Sequence, residues 1–166
     1  MSSPETVFGM SLETYTLIHV LISLIGIGSG LVVLFGLIAG KSLEGWTALF
    51  LATTVATSVT GYGFPFHQLL PSHIVGAISL VVLAVAIAAR YAWHLRGAWR
   101  RVYVVCALLA LYLNVFVGVV QAFQKIPALA ALAPNQTEPP FVVAQLAVLL
   151  LFAVLTIAAA RRFRAS

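Results

Sequence analysis

Gly61-Tyr-Gly-Phe-Pro-Phe-His-Gln-Leu-Leu-Pro-Ser-His-Ile-Val-Gly76 is the stretch on which the fold turns. It separates two apolar runs, and it carries Pro65 and Pro71 together with two of the chain's four histidines, His67 and His73. Glycine and proline stop a helix, because proline brings no N–H to the hydrogen-bond ladder and glycine resists helical order. A break of this kind between two runs long enough to cross a bilayer reads as a turn at the lipid–water boundary. One helix ends there and the next returns.

The rest of the chain agrees with that reading. Of 166 residues, 62% are hydrophobic and only 8% are charged, with a mean hydropathy of +1.09. A soluble domain carries about 25% charged residues, so this chain has too little polar surface to face water, and lipid must be the solvent for most of its outside. The net charge of +5 does not point to nucleic acid. The basic residues stand at the ends of apolar runs, where membrane topology needs them. Cys106 is the lone cysteine, which excludes an internal disulfide, a redox pair and a thiolate metal cage; it reads as a buried structural thiol.

The pattern predicts an all-α fold: an integral membrane bundle of five transmembrane helices in a single domain. Residues 1–13 are polar and lack Lys and Arg, so they do not form a signal peptide, which needs a positive n-region. Helix one is expected over about Tyr15–Ala39. In it His19, Ser23, Gly26 and Gly30 recur at intervals of four, three and four and so share one face, with Gly26 and Gly30 in the GxxxG spacing that admits a close neighbour. The string GIGSGL resembles a dinucleotide-binding loop only in letters, for no strand precedes it.

Helix two, about Trp46–Tyr62, carries Thr53, Thr54, Thr57, Ser58 and Thr60. Hydroxyls are tolerated in a membrane helix because each can bond back to the preceding turn. Helix three is expected over about His73–Trp93, with Ser72 as N-cap, and helix four over about Val102–Gln124. Helix four bears a polar stripe of Asn114, Gly118, Gln121 and Lys125. Helix five, about Phe141–Ala160, contains Gln145 and closes on Arg161, Arg162 and Arg164.

Threading the chain through five spans places Lys41, Arg90, Arg96, Arg100, Arg101, Arg161, Arg162 and Arg164 on one side and Lys125 alone on the other. The positive-inside rule then puts the N-terminus outside and the C-terminus in the cytoplasm. Adding or removing one helix would scatter the charges over both faces. Asn135-Gln136-Thr137 would be a glycosylation sequon in a eukaryotic protein and reads as accidental.

With that orientation His19, His67 and His73 share the outer leaflet. Gln121, Gln124 and Gln145 fall near outer helix ends, and Asn114 lies deeper. Neutral imidazole is a common metal ligand. His19, His67 and His73, with Glu13 as an oxygen donor, form a candidate site for copper or zinc. Haem is the second candidate cofactor, with His19 and His73 as axial ligands and Gly26 and Gly76 leaving space for a flat ring. The opposing reading makes His67 and His73 interfacial turn residues and lets His19 hydrogen-bond a neighbouring helix. Asn114, Gln121 and Gln145 are candidates for a polar pocket or for interhelical hydrogen bonds.

The segments FPFHQLLPSHIVGAISL (Phe64–Leu80), YLNVFVGVVQAFQK (Tyr112–Lys125) and APNQTEPPF (Ala133–Phe141) resemble a group of small multi-pass membrane proteins of proteobacteria. The resemblance implies a bacterial inner-membrane address. It supplies no activity and no site residue. The expected function is therefore a periplasm-facing histidine site for a metal or haem, used in redox chemistry or metal handling. The alternative is an accessory subunit that packs on a larger membrane complex, or on itself, with no cofactor of its own. Solute permeation along Thr57, Asn114 and Gln121 is weaker, because no paired intramembrane charges offer coupling. Catalysis is weaker still, because no carboxylate sits at membrane depth and no activated nucleophile is visible.

Overall fold

A computed structural model describes residues 6–65 and 71–164. Within them the chain is helical apart from one small hairpin. The hairpin pairs β1 (Thr6–Val7) with β2 (Met10–Ser11), antiparallel, Val7 opposite Met10. Phe8 and Gly9 both have positive φ, 52° and 79°, as a two-residue type I′ connection requires. The helices are α1 (Leu12–Ile38), α2 (Glu44–Gly61), α3 (Pro71–Ile87), which continues through a π-helical turn at Ala88–Ala92, α4 (Trp99–Lys125), α5 (Pro127–Leu132) and α6 (Pro139–Arg162).

Four of these helices are long and apolar enough to cross a membrane: Leu12–Ile38, Ser72–Ala92, Trp99–Lys125 and Pro139–Arg162. The segment expected as the second span is helical, as α2, but is not among these four: it is shorter and carries Glu44 and a run of hydroxyls. At about 1.5 Å per residue it barely matches a hydrocarbon core of ~30 Å. Sequence boundaries and observed boundaries differ by a few residues, for local reasons. The first helix starts at Leu12 rather than Tyr15 because Ser11 caps it: the Thr14 N–H donates to the Ser11 hydroxyl at 3.2 Å. The last starts at Pro139, proline being pre-organised for the first helical turn. The hairpin and α5 fall in segments that read from the sequence as a polar tail and a link.

Helix pairing brings the ends of the chain's elements into two sets. At one end, the Arg90 guanidinium reaches the Ser42 hydroxyl (3.2 Å) and Glu44 (3.9 Å), and Arg100 donates to the Phe163 carbonyl at 2.5 Å. This arginine end thus joins the α1–α2 link, the end of α3, the start of α4 and the end of α6. At the other end lie the starts of α1, α3 and α6 and the ends of α2 and α4, where Phe123 packs edge-on against Phe141 and Gln136 donates to the Val120 carbonyl.

The interior is mostly apolar, with buried polar side chains toward both ends, Thr47 and Arg90 at the arginine end and a larger set at the other. Leu34, Leu37, Phe50, Tyr103, Val104, Leu108 and Phe163 are almost wholly buried, and they belong to a continuous apolar core weighted toward the arginine end. Toward the histidine end the buried set turns polar: Ser58, His73, Ser79, Asn114 and Gln145. Close approach of α1, α2 and α4 depends on Gly30, where an added Cβ would meet Leu111 at 2.5 Å and Phe50 at 2.9 Å. Small residues permit such contact in a membrane bundle, where lipid supplies no hydrophobic drive between helices. Cys106 is free and half-buried.

Candidate functional site

The polar part of the interior toward the histidine end is built on the α1–α2 pair. The two helices run antiparallel, so positions one turn apart on α1 meet positions one turn apart on α2 in reverse order. Gly30 faces Phe50, Gly26 faces Thr53 and Thr54, and His19 faces Thr60 and Gly61. His19, Gly26 and Gly30 thus share a seam against α2, as their intervals predict, with Thr53, Thr54 and Thr60 on its other wall, while Ser23 bonds back to the His19 carbonyl.

At the histidine end of this seam Thr60 is shared by two side chains of α1. The buried Tyr15 hydroxyl donates to the Thr60 carbonyl at 2.7 Å, which also accepts the Gly63 N–H at 3.0 Å. His19 Nδ1 lies 2.8 Å from the Thr60 hydroxyl. That hydroxyl has a better use for its own proton, since the Ala56 carbonyl accepts it at 2.7 Å. With its proton committed there, the Thr60 oxygen is left as acceptor, so Nδ1 carries hydrogen and donates. The relay Nδ1–H to Thr60 to Ala56 fixes the neutral tautomer and leaves the lone pair on Nε2. Nε2 makes no hydrogen bond among the described residues. Phe64 stands edge-on to the imidazole, ring centres 5.2 Å apart at 89°, and edge-on to Tyr15 at 5.0 Å. The half-buried His19 ring is thus held by one hydrogen bond and one aromatic contact.

One side chain of α3 meets the same end of α2 on a different flank. His73 is buried; its carbonyl accepts from the Tyr62 hydroxyl at 2.6 Å, and its ring lies 5.6 Å from that of Tyr62. Because α3 packs on α2 and α4 while α1 packs chiefly on α2, the two imidazoles address different residues: His19 the Thr60–Phe64 side, His73 the Tyr62 side. His67 lies outside the described residues. No group of three or more His, Cys, Asp or Glu side chains placed to hold a metal ion occurs among the described residues.

Deeper in the seam is a polar notch. A Cβ at Gly26 would stand 3.2 Å from Asn114 Nδ2 and 3.3 Å from the hydroxyls of Thr53 and Thr54. Thr53 donates to the Leu49 carbonyl at 2.7 Å, while Asn114 Nδ2 and the Thr54 hydroxyl are buried with no partner among the described residues. Leaving such groups unpaired costs about 1–3 kcal/mol each, so the notch is a point of polar stress held by packing. Gln145 is buried on α6, where Nε2 donates to the Phe116 carbonyl at 3.2 Å and Oε1 has no partner among the described residues. Gln121 is exposed. Thr57 bonds back to the Thr53 carbonyl, so Thr57, Asn114 and Gln121 do not line one interior path.

In the sequence Thr60 stands only as one of five hydroxyls on helix two and Tyr15 only as a helix start, neither of them paired with a partner. A signal for Thr60 exists: with a link as short as residues 39–43, antiparallel pairing sets the last turn of α2 against the first turns of α1, opposite His19. Comparison with known proteins adds no further constraint, since no family model, curated protein or solved structure matches the chain.

Proposed function

We propose that this chain is a five-span protein of a bacterial inner membrane, N-terminus outward, in which His19 Nε2 is a ligand for haem or a metal ion near the periplasmic face. What supports the reading is the hydrogen-bond relay through Thr60. Metal-binding imidazoles characteristically donate their other N–H to a fixed acceptor, which orients the ring and raises its basicity, and His19 is held in this manner with the correct nitrogen left over. The ligand count favours haem. Copper or zinc asks for about four protein or water ligands, whereas haem iron asks the protein for one or two. His73 and His67 are the candidates for a second ligand, and Lys125 is the cation at this end that would meet a propionate.

The test is spectroscopic. Protein purified in mild detergent, and offered haem, copper or zinc, is expected to show a Soret band or stoichiometric metal, and His19→Ala to lose it. A wild-type protein that stays colourless and metal-free after such loading would remove the proposal.

One observation favours the accessory-subunit reading. Only 11% of the α6 span is buried, against 28–39% for the other three candidate spans, and Val143, Leu146, Leu150, Val154 and Ile157 leave it as an exposed apolar stripe. Lipid covers this face in the first reading, a partner helix in the second. Cross-linking from Leu150 in native membranes separates them: adducts to a second protein support the subunit, adducts to lipid alone do not.

A further inference from the structure

At the arginine end, the start of α4 and the last turn of α6 border an open, shallow cleft of about 730 Å³ lined by Arg100, Arg101, Ile157, Ala160, Arg161 and Arg164. Four guanidinium groups thus line one concavity with no carboxylate among its walls. The chain has only four acidic residues, Glu5, Glu13, Glu44 and Glu138. Glu13 and Glu138 belong to the opposite end, and Glu44 approaches Arg90. The protein therefore cannot neutralise this cleft with its described carboxylates. One edge of it is fixed, because Arg100 donates to the Phe163 carbonyl and so ties the two helices together. The positive pole of the α4 dipole and the negative pole at the end of α6 meet here and offset each other, so the field of the cleft comes from the guanidinium groups.

We propose that this cleft binds the headgroup of an anionic phospholipid. The shared chemistry is phosphate, which arginine grips with paired N–H donors; Ile157 and Ala160 supply the reason to choose a lipid over a free anion. They extend the cleft as an apolar wall along α6 toward the membrane-spanning part of that helix, where an acyl chain would lie. A lipid with two phosphates, such as cardiolipin, suits a site of four cations better than one with a single charge. Basic pockets between helices at a membrane boundary are the setting in which such headgroups are held. This inference needs only that the chain be membrane-embedded and is independent of His19.

Native mass spectrometry of the detergent-purified full chain tests it by titrating cardiolipin or phosphatidylcholine against wild type, the double variant Arg161→Gln/Arg164→Gln and the control Arg96→Gln, which removes a charge outside the cleft. Wild type is expected to retain cardiolipin over phosphatidylcholine. The double variant should bind cardiolipin about thirtyfold more weakly, at roughly 1 kcal/mol per arginine, and Arg96→Gln should bind as wild type. Millimolar inorganic phosphate should leave the lipid bound. Equal retention of phosphatidylcholine, equal weakening by Arg96→Gln, or displacement by inorganic phosphate would each overturn the proposal, the last by making a free anion the ligand. If the double variant fails to fold, the two single variants and the salt dependence of wild-type binding decide: affinity indifferent to salt and to each single change refutes the site.

Discussion

His19 owes its character to Thr60. An imidazole in lipid is costly unless its polar atoms are used, and here one nitrogen is used by a hydroxyl whose own proton is committed to the Ala56 carbonyl. Thr60→Val keeps the volume and removes the acceptor. If His19 is a ligand, this change is expected to weaken metal or haem binding about 10- to 100-fold, the usual effect of losing an outer-shell partner, while Thr53→Val leaves it unchanged; a binding titration followed by absorbance reads both. Asn114 makes the complementary case. Its amide is buried beside Gly26 with Nδ2 unpartnered among the described residues, so Asn114→Leu removes a desolvation cost at similar size. Stability in detergent is expected to hold or rise by about 1 kcal/mol, as a melting curve would report. A fall of several kcal/mol would mean that Asn114 is satisfied in the membrane.

Among the elements, the α1–α2 pair carries the seam, and its tolerance depends on position around the helix. Gly30 touches Phe50 and Leu111, whereas a Cβ at Gly28 meets nothing within 4 Å. Gly30→Val is expected to cost about 1–3 kcal/mol through overpacking and Gly28→Val to stay within about 0.5 kcal/mol, measured by thermal unfolding in the same detergent. The link into α6 offers a pH test. Desolvation slightly raises the Glu138 carboxyl, but hydrogen bonds from its own N–H, the Asn135 and Thr137 N–H groups and the Asn135 amide outweigh it and hold the group below the usual carboxylate range. The folded form therefore favours the ionised carboxylate. Its contribution is complete above the ordinary carboxylate pKa of about 4.3 and fades as pH falls through the lower, folded value. Protection of the Asn135 and Thr137 N–H groups, taken relative to the intrinsic exchange rate at each pH, should fall in that acidic window, and Glu138→Gln should flatten the dependence.

For the whole molecule, the arginines gather at one end, and most of the buried polar side chains, His73, Asn114 and Gln145 among them, lie toward the other. Five spans with the histidine end outward predict that, in a Cys106→Ala background, Thr137→Cys reacts with an impermeant maleimide on intact cells and Ala98→Cys reacts only after permeabilisation. The reverse pattern, or both sites reacting from one side, would refute the orientation. Four of the described helices meet the length and apolarity needed to cross; α2 reaches the same level in the bundle by hiding its hydroxyls against α1 and against its own backbone.

Composition and the spacing of apolar runs made it legible that the chain is helical, with helices long and apolar enough to cross a membrane, because length and apolarity belong to each segment through its own residues. The shared face of His19, Ser23, Gly26 and Gly30 was equally legible, being a matter of helical period. The partners of that face were not. Whether His19 meets Thr60 or His73, and whether Asn114 meets Gln121 or Gly26, depends on how each helix is rotated about its axis. That rotation is set by contacts between distant segments, such as Gly30 against Phe50 and Leu111. Only tertiary packing decides it, since a rotation of one helix moves a side chain to a new neighbour without changing anything in the local sequence.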